Sequence, residues 1–591
     1  MSGWLAVRSA RPEPDLLGPA RPRLGDADEW KSEDGRVALA AWRRPAGEFR
    51  YSGRLLHGGR LAWVGLCLED AGESTPDAVD LLRAPTRQGL AVLNGEFAAA
   101  VVDDAGELEI VTDRHGHYPV FIARAPGVVA ASTEPALAAA FLERPRFDRE
   151  AVDLLLRCGE LQDERTPLEN LTVAPPASRL RPRPDGPSRV ERYWRLRLDP
   201  DPALDLDEAA RLVGERLRAA LRRLEASGAR LVAPLSGGLD SRLIVGLCER
   251  PERVPTFTWG APGCRDVRYA ELFARRVGSP HRSFDLSPEL YPPVWERGAA
   301  AVGGCVGARD MYILPFAPVL AEAGDVALNG LAGDVILGGN FLRDAWLRAE
   351  RLEDLAEDSW RWRVPDAESA LTMGLVADGP PGGSAPELWR RSLLARNDGR
   401  RPMEVLHDWL IENRIFRWTN AGTQLLRTSL ESWSPFFDRD VIDLLVRVPL
   451  EPRRKHRFYL SVLNRACPAA AAVPWQRTAL APRWGFGAAL ASLAFHRGMR
   501  MVGRRFGVEP FPDQAVASPA DWLRGPWADP ARALLFDERT LDRGLFKPDA
   551  LRRLWSSHQA GADVSRALGV AMSLELFARD AVDAPAALRR S

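Results

Sequence analysis

"VAPLSGGLDSRLIVGL", residues 232–247, decides the fold of this 591-residue chain. An apolar run ending at Leu235 reads as a buried strand, Ser236-Gly237-Gly238 as a turn, and the residues after Asp240 as a helix. In a parallel sheet, the loop after such a strand lies at the carboxyl edge, where ligands bind. Gly237 and Gly238 let the backbone approach a ligand closely. The helix start offers unpaired N–H groups and the positive dipole end, which suit phosphate, and Ser236 and Ser241 add hydroxyls. Asp240 would repel a phosphate unless a cation lay between them, so a carboxylate here implies Mg²⁺. The spacing is not that of a Walker loop, because no G-x-x-x-x-G-K-[ST] is present.

Downstream, "VPTFTWG", "HRSFDL" and "DVALNG" are short β-like runs separated by helical stretches, the pattern of βαβ units. After Gly339 the reading is almost wholly helical, with 380–383 (Pro-Pro-Gly-Gly) expected as a surface loop. Upstream, the first 190 residues alternate short apolar runs with turn signals, as in "RLAWVGLCL" and "LAVLNGEFAAAVVDDAGELEIVTD". They predict a mostly antiparallel sheet domain. "RPRPDGPSRVERYWRL" reads as the linker out of it. The expected organisation is therefore an α+β domain at 1–190. An α/β parallel-sheet nucleotide domain with a large helical C-terminal part follows at 191–591.

Composition bounds the class. An apolar share of 46% and a charged share of 27% describe a folded globular chain. The 80 basic residues balance 80 acidic ones, which leaves no nucleic-acid footprint. No apolar run reaches the ~20 residues that span a bilayer, and the start lacks a signal-peptide pattern, so a cytoplasmic chain without a membrane partner is expected. Cys67, Cys158, Cys248, Cys264, Cys305 and Cys467 are scattered, which argues against disulfides or zinc. Lys31, Lys455 and Lys547 are the lysines, so cationic roles fall to arginine.

S-G-G-x-D-S resembles the pyrophosphate loop of the ATP-pyrophosphatase superfamily. "DVALNGLAGDVILGGNF", with Gly330, Gly333, Asp334, Gly338 and Gly339, resembles the S-G-E-G-x-D-E-L-x-x-G-G stretch of the asparagine synthetase family. The resemblance makes Asp334 a second Mg²⁺ ligand beside Asp240, and Gly333 part of the nucleotide site. It puts Asp266 at the family's acidic position, and "VPWQRTAL" where the family carries a catalytic basic residue, here Arg477. His281 receives no role, and "WSPFFDRDVIDLLVRVP" is read as core packing.

The same resemblance makes the first domain a glutaminase of Ntn type, with departures. Ser2 stands where working members expose a cysteine, and the R-G-P-D and N-G-E-x-Y-N signatures are missing. Asn94 to Glu96 belong to a different segment. In the synthetase half, Leu331 and Val335 replace family glutamates. The resemblance implies an ATP- and Mg²⁺-dependent ligase that adenylates a small-molecule or peptide carboxylate and passes the acyl group to an amine or ammonia. A homodimer is possible. β-Lactam synthetases and lasso-peptide cyclases are relatives of this kind. An ordinary asparagine synthetase and an inactive scaffold are the competing readings. A tRNA-modifying pyrophosphatase lacks its basic patch and cysteine pair.

Overall fold

Trp4, Leu5, Ala6 and Val7 are all buried, and the alternation of a strand sends them to two different cores. The computed structural model describes residues 2–43, 53–69, 72–73, 80–82, 86–379, 384–511 and 516–583. Met1 and the expected loop at 380–383 lie outside them.

Gly3–Ser9 is an inner strand of a six-stranded antiparallel sheet. The order is Leu171–Val173, Phe121–Ala125, Val128–Ser132, Gly3–Ser9, Val37–Trp42 and Asp28–Lys31, with Leu5 opposite both Ser132 and Ala40. A second antiparallel sheet runs Arg189–Arg192, Ser178–Arg181, Leu108–Thr112, Gly95–Val102, Leu61–Glu69 and Arg54–Leu56, with Gly72–Glu73 paired to the long strand. Trp4, Ala6, Leu39, Val64, Ala98 and Ile110 fill the space between the sheets. On the outer face of the first sheet, Leu5, Val7 and Phe121 pack with the helix Pro135–Ala139 and with Phe577 from the far end of the chain.

The stretch read as a linker is a hairpin. Ser178–Arg181 pairs with Arg189–Arg192, and the Pro- and Gly-rich residues between them form its turn. The Tyr193 hydroxyl then donates to the Thr112 carbonyl at 2.6 Å, which pins the exit of the sheet.

The second half is built on five parallel strands in the order His281–Asp285, Thr256–Gly260, Leu231–Pro234, Val326–Leu328, Glu431–Trp433. The chain leaves the central strand Leu231–Pro234 toward one side, then returns to build the other. The sheet's topological switch point therefore falls between Leu231–Pro234 and Val326–Leu328. Helix Leu206–Ala226, capped by Asp205, buries Ala209, Val213, Leu217 and Leu221 at helical spacing against this core.

The two halves are bolted together by buried polar contacts. Asn94 donates to Asp438 at 2.8 Å and accepts from the Arg439 N–H. Glu96 accepts from the Arg427 guanidinium and the Ser434 N–H. Asn94 and Glu96 thus serve the seam between the halves. Asp438 also caps the helix Arg439–Leu445 and pairs with Arg223, so the "SPFFD" segment is a latch as well as packing.

Candidate functional site

Two loops meet at the switch point. The first follows Leu231–Pro234 and leads into the helix Asp240–Leu247; the second follows Val326–Leu328 and leads into the short helix Gly333–Ile336. They touch: the Asp334 N–H donates to the Asp240 carboxylate at 3.1 Å. Close approach depends on glycine here. A side chain at Gly330 would sit 3.0 Å from Asp240 Cβ, and one at Gly333 would lie 2.6 Å from the Phe436 ring and 2.9 Å from Asp240 Cγ. Ala332, between them, is held at φ +57°, a left-handed conformation that costs a non-glycine residue energy and clusters at functional sites.

Ser236, Gly238, Asp240, Ser241, Asp334 and Arg477 line one cavity of about 910 Å³, with Trp259, Asp266, Asp310 and His456 also in its walls. Gly237 and Gly333 stand just behind that surface. The turn is organised largely by its own side chains. The Ser241 hydroxyl accepts from the Ser236 N–H at 3.0 Å, the Ser236 hydroxyl from the Gly238 N–H at 3.1 Å, and Asp266 from the Gly237 N–H at 2.9 Å. These N–H groups are therefore engaged within the protein, and because the two hydroxyls bond one another at 3.1 Å, one hydroxyl hydrogen and the helix start remain as the turn's donors. Fully buried Arg242 holds the turn from below, donating to the carbonyls of Gly237, Gly238, Val473 and Pro474.

Electrostatically the site is short of positive charge. Burial, and then the neighbouring Asp334, hold the Asp240 carboxyl well above the usual carboxylate range. Burial raises Asp334 as well, against the opposing pull of Arg477. Burial pushes Asp266 up to about 6. Two carboxylates set against one another at the mouth of a phosphate-sized loop are a donor set that a divalent cation would relieve. Mg²⁺ suits it, since that ion is commonly held by one or two carboxylates together with water and phosphate oxygens. Arg477 lies at the exposed rim, its guanidinium 5.2 Å from the Trp475 ring centroid.

Several neighbours were not foreseen. The Tyr459 hydroxyl donates to Asp240 at 2.5 Å, and Asn340 donates to Asp334 at 2.9 Å, so each carboxylate is oriented by a second side chain. His456, at φ +67°, lies in the cavity wall, and burial drives its imidazole down to about 3, so it is neutral at ordinary pH. Leu331, where the resemblance calls for glutamate, is buried in the cavity wall, and Val335 is buried in its helix. His281 bonds Thr256 at 2.9 Å within the sheet.

Residues 212–474 match the asparagine synthase family, and residues 72–194 match the glutamine amidotransferase domain. No curated protein matches the chain at a significant level. Similar solved structures include the glutamine phosphoribosylpyrophosphate amidotransferase of B. subtilis complexed with ADP and GMP. It is 12% identical, over 48% of this chain and 65% of that one, with a TM-score of 0.21. Another, described as the allosteric regulatory enzyme of purine biosynthesis, is 10% identical over 48% of this chain and 80% of that one, with a TM-score of 0.22. The synthase match contains both carboxylate-bearing loops, the amidotransferase match falls within the antiparallel sheets, and the two together support a member of the asparagine synthetase family.

Proposed function

We propose that the chain is an AMP-forming amide ligase. ATP is attacked at its α-phosphorus by a substrate carboxylate, the bond to the β-phosphate breaks, and pyrophosphate leaves. An amine then displaces AMP from the acyl adenylate. The observation that carries this reading is the meeting of Asp240 and Asp334 beside the Ser236–Ser241 hydroxyl pair in one cavity. When bound, Mg²⁺ would neutralise phosphate charge at these two residues. The serine hydroxyls would orient the pyrophosphate, and Arg477 at the rim would stabilise charge on it as it departs. Tyr459 and Asn340 fix the two carboxylates, and Asp266 fixes the turn.

The nitrogen donor is an amine on the substrate or a second amine substrate. Ser2 is a poor nucleophile near neutral pH, and the backbone beside it is crowded: a side chain at Gly3 would meet the Trp42 ring at 2.5 Å. Leu331 gives an apolar wall where an aspartate-using relative would present a carboxylate, which favours a different substrate from aspartate. A well-oriented amine has an effective concentration on the order of 10⁵ M, far above dilute ammonia, and outcompetes water for the adenylate. A scaffold would have no use for two mutually repelling, half-buried carboxylates.

The test is exchange of labelled pyrophosphate into ATP across a panel of carboxylates, with and without Mg²⁺. Exchange that needs Mg²⁺ and one carboxylate class is expected. No exchange across the panel would leave the scaffold reading in place, and efficient asparagine formation from aspartate at low ammonium would restore the ordinary synthetase.

A further inference from the structure

The helix Gly485–Phe506 presents three distinct strips. Ala489, Ser492, His496 and Gly503 lie on one side and are buried. There the His496 ring packs against Phe511 and meets, at 3.2 Å, the guanidinium of Arg265, the neighbour in sequence of the Asp266 that anchors the nucleotide turn. At 100° per residue, Arg497 and Arg500 form an exposed flank next to that buried strip. The outward half carries Phe495, Met499, Met501, Val502 and Phe506, between 39% and 72% exposed. Its other residues are alanine, glycine and leucine, with Arg505 as its charge.

This concentration is not the scattered exposure of an ordinary surface. Among the described residues, more than half of the large apolar side chains that are exposed fall within 480–508. No aspartate or glutamate occurs between Glu451 and Glu509. An apolar face with arginines along one flank and Arg505 within it, and free of acids, is the pattern of a helix that lies in a membrane interface, its apolar side chains at the acyl boundary and its cations reaching to headgroups. A second copy of the same face would set arginine against arginine, so charge complementarity selects an anionic surface. No helix among the described residues is long and apolar enough to cross a membrane, which fits a peripheral attachment.

We infer that this helix docks the protein on an anionic phospholipid surface. The inference runs against the expectation of no membrane partner and is independent of the ligase reading. After the helix, residues 516–520 return to the wall of the nucleotide cavity, so docking would set the cavity close to the membrane plane.

The test is co-sedimentation of the full chain with vesicles of equimolar phosphatidylcholine and phosphatidylglycerol, and with vesicles of phosphatidylcholine alone. Binding to the anionic vesicles is expected, weakening as salt screens the arginines. Phe495→Ser with Phe506→Ser should lower the partition coefficient at least about tenfold. Arg497→Glu with Arg505→Glu should lower it about fivefold per arginine. All four positions are exposed, so thermal midpoints should stay unchanged, which separates lost docking from misfolding. The inference is overturned if the parent stays in solution with anionic vesicles. It is equally overturned if the phenylalanine pair instead converts a dimer to a monomer, or if binding is to acidic polypeptides alone.

Discussion

Asp240→Asn separates catalysis from stability. In the metal-free protein, Asp240 is half-buried, its carboxyl held well above its ordinary value of 3.8 by desolvation and by the neighbouring Asp334. Its folded-state value lies above its unfolded one, so its ionisation costs nothing at pH below 3.8. The cost grows as pH rises toward the folded-state value. Asparagine removes the charge and keeps a carbonyl oxygen for the Tyr459 hydroxyl, but loses an acceptor for the Asp334 N–H, at about 1 kcal/mol. The variant should therefore match or exceed the parent in stability in a chelator at neutral pH. Exchange of pyrophosphate into ATP should meanwhile fall ~10²–10³-fold, and Mg²⁺ with ATP should no longer raise the thermal midpoint. Parental exchange rates in the variant, or a stability loss above about 2 kcal/mol in chelator, would refute the reasoning.

Arg427→Ala strands Glu96 in the seam between the halves and should cost about 3–5 kcal/mol by denaturant unfolding, with Arg427→Lys intermediate. Gly333→Ala pushes a methyl toward Phe436 and Asp240, and it should depress exchange far more than it shifts the thermal midpoint. Ser2→Ala should leave amide formation unchanged, and neither protein should release glutamate from glutamine in a coupled assay. Protonating Asp266 weakens its hold on the Gly237 N–H, so kcat/KM for ATP should fall below a pH of about 6 and flatten in Asp266→Asn.

What could be read from the sequence was local. The turn at Ser236 to Ser241 sits between an apolar strand run and a helix-forming run, so its place at the sheet edge is legible in the residues themselves. The loop around Asp334, between a three-residue strand and a four-residue helix, is legible through its resemblance to the family's glycine-rich stretch. The fifth strand, Glu431–Trp433, escaped because three residues joined to the sheet by one neighbour leave no periodic signal. Tyr459 and Asn340 escaped for a different reason. Tyr459 is 219 positions from the Asp240 it orients, and nothing in its own helix marks the hydroxyl as a ligand of that carboxylate. The hairpin between Ser178 and Arg192 reads as a linker in sequence because Pro182, Pro184 and Gly186 dominate its turn, while the strands on either side are only four residues each. The exposed strip from Phe495 to Phe506 was invisible for the opposite reason: helical spacing alone does not say which apolar face lacks a partner.

The most direct test of the central claim is the fate of oxygen. A carboxylate that supports pyrophosphate exchange is labelled with heavy oxygen in its carboxyl group and turned over with ATP, Mg²⁺ and an amine, and the nucleotide products are weighed by mass spectrometry. Attack at the α-phosphorus predicts AMP and pyrophosphate, with one labelled oxygen in the AMP for each amide formed. ADP with the label in inorganic phosphate would contradict the account.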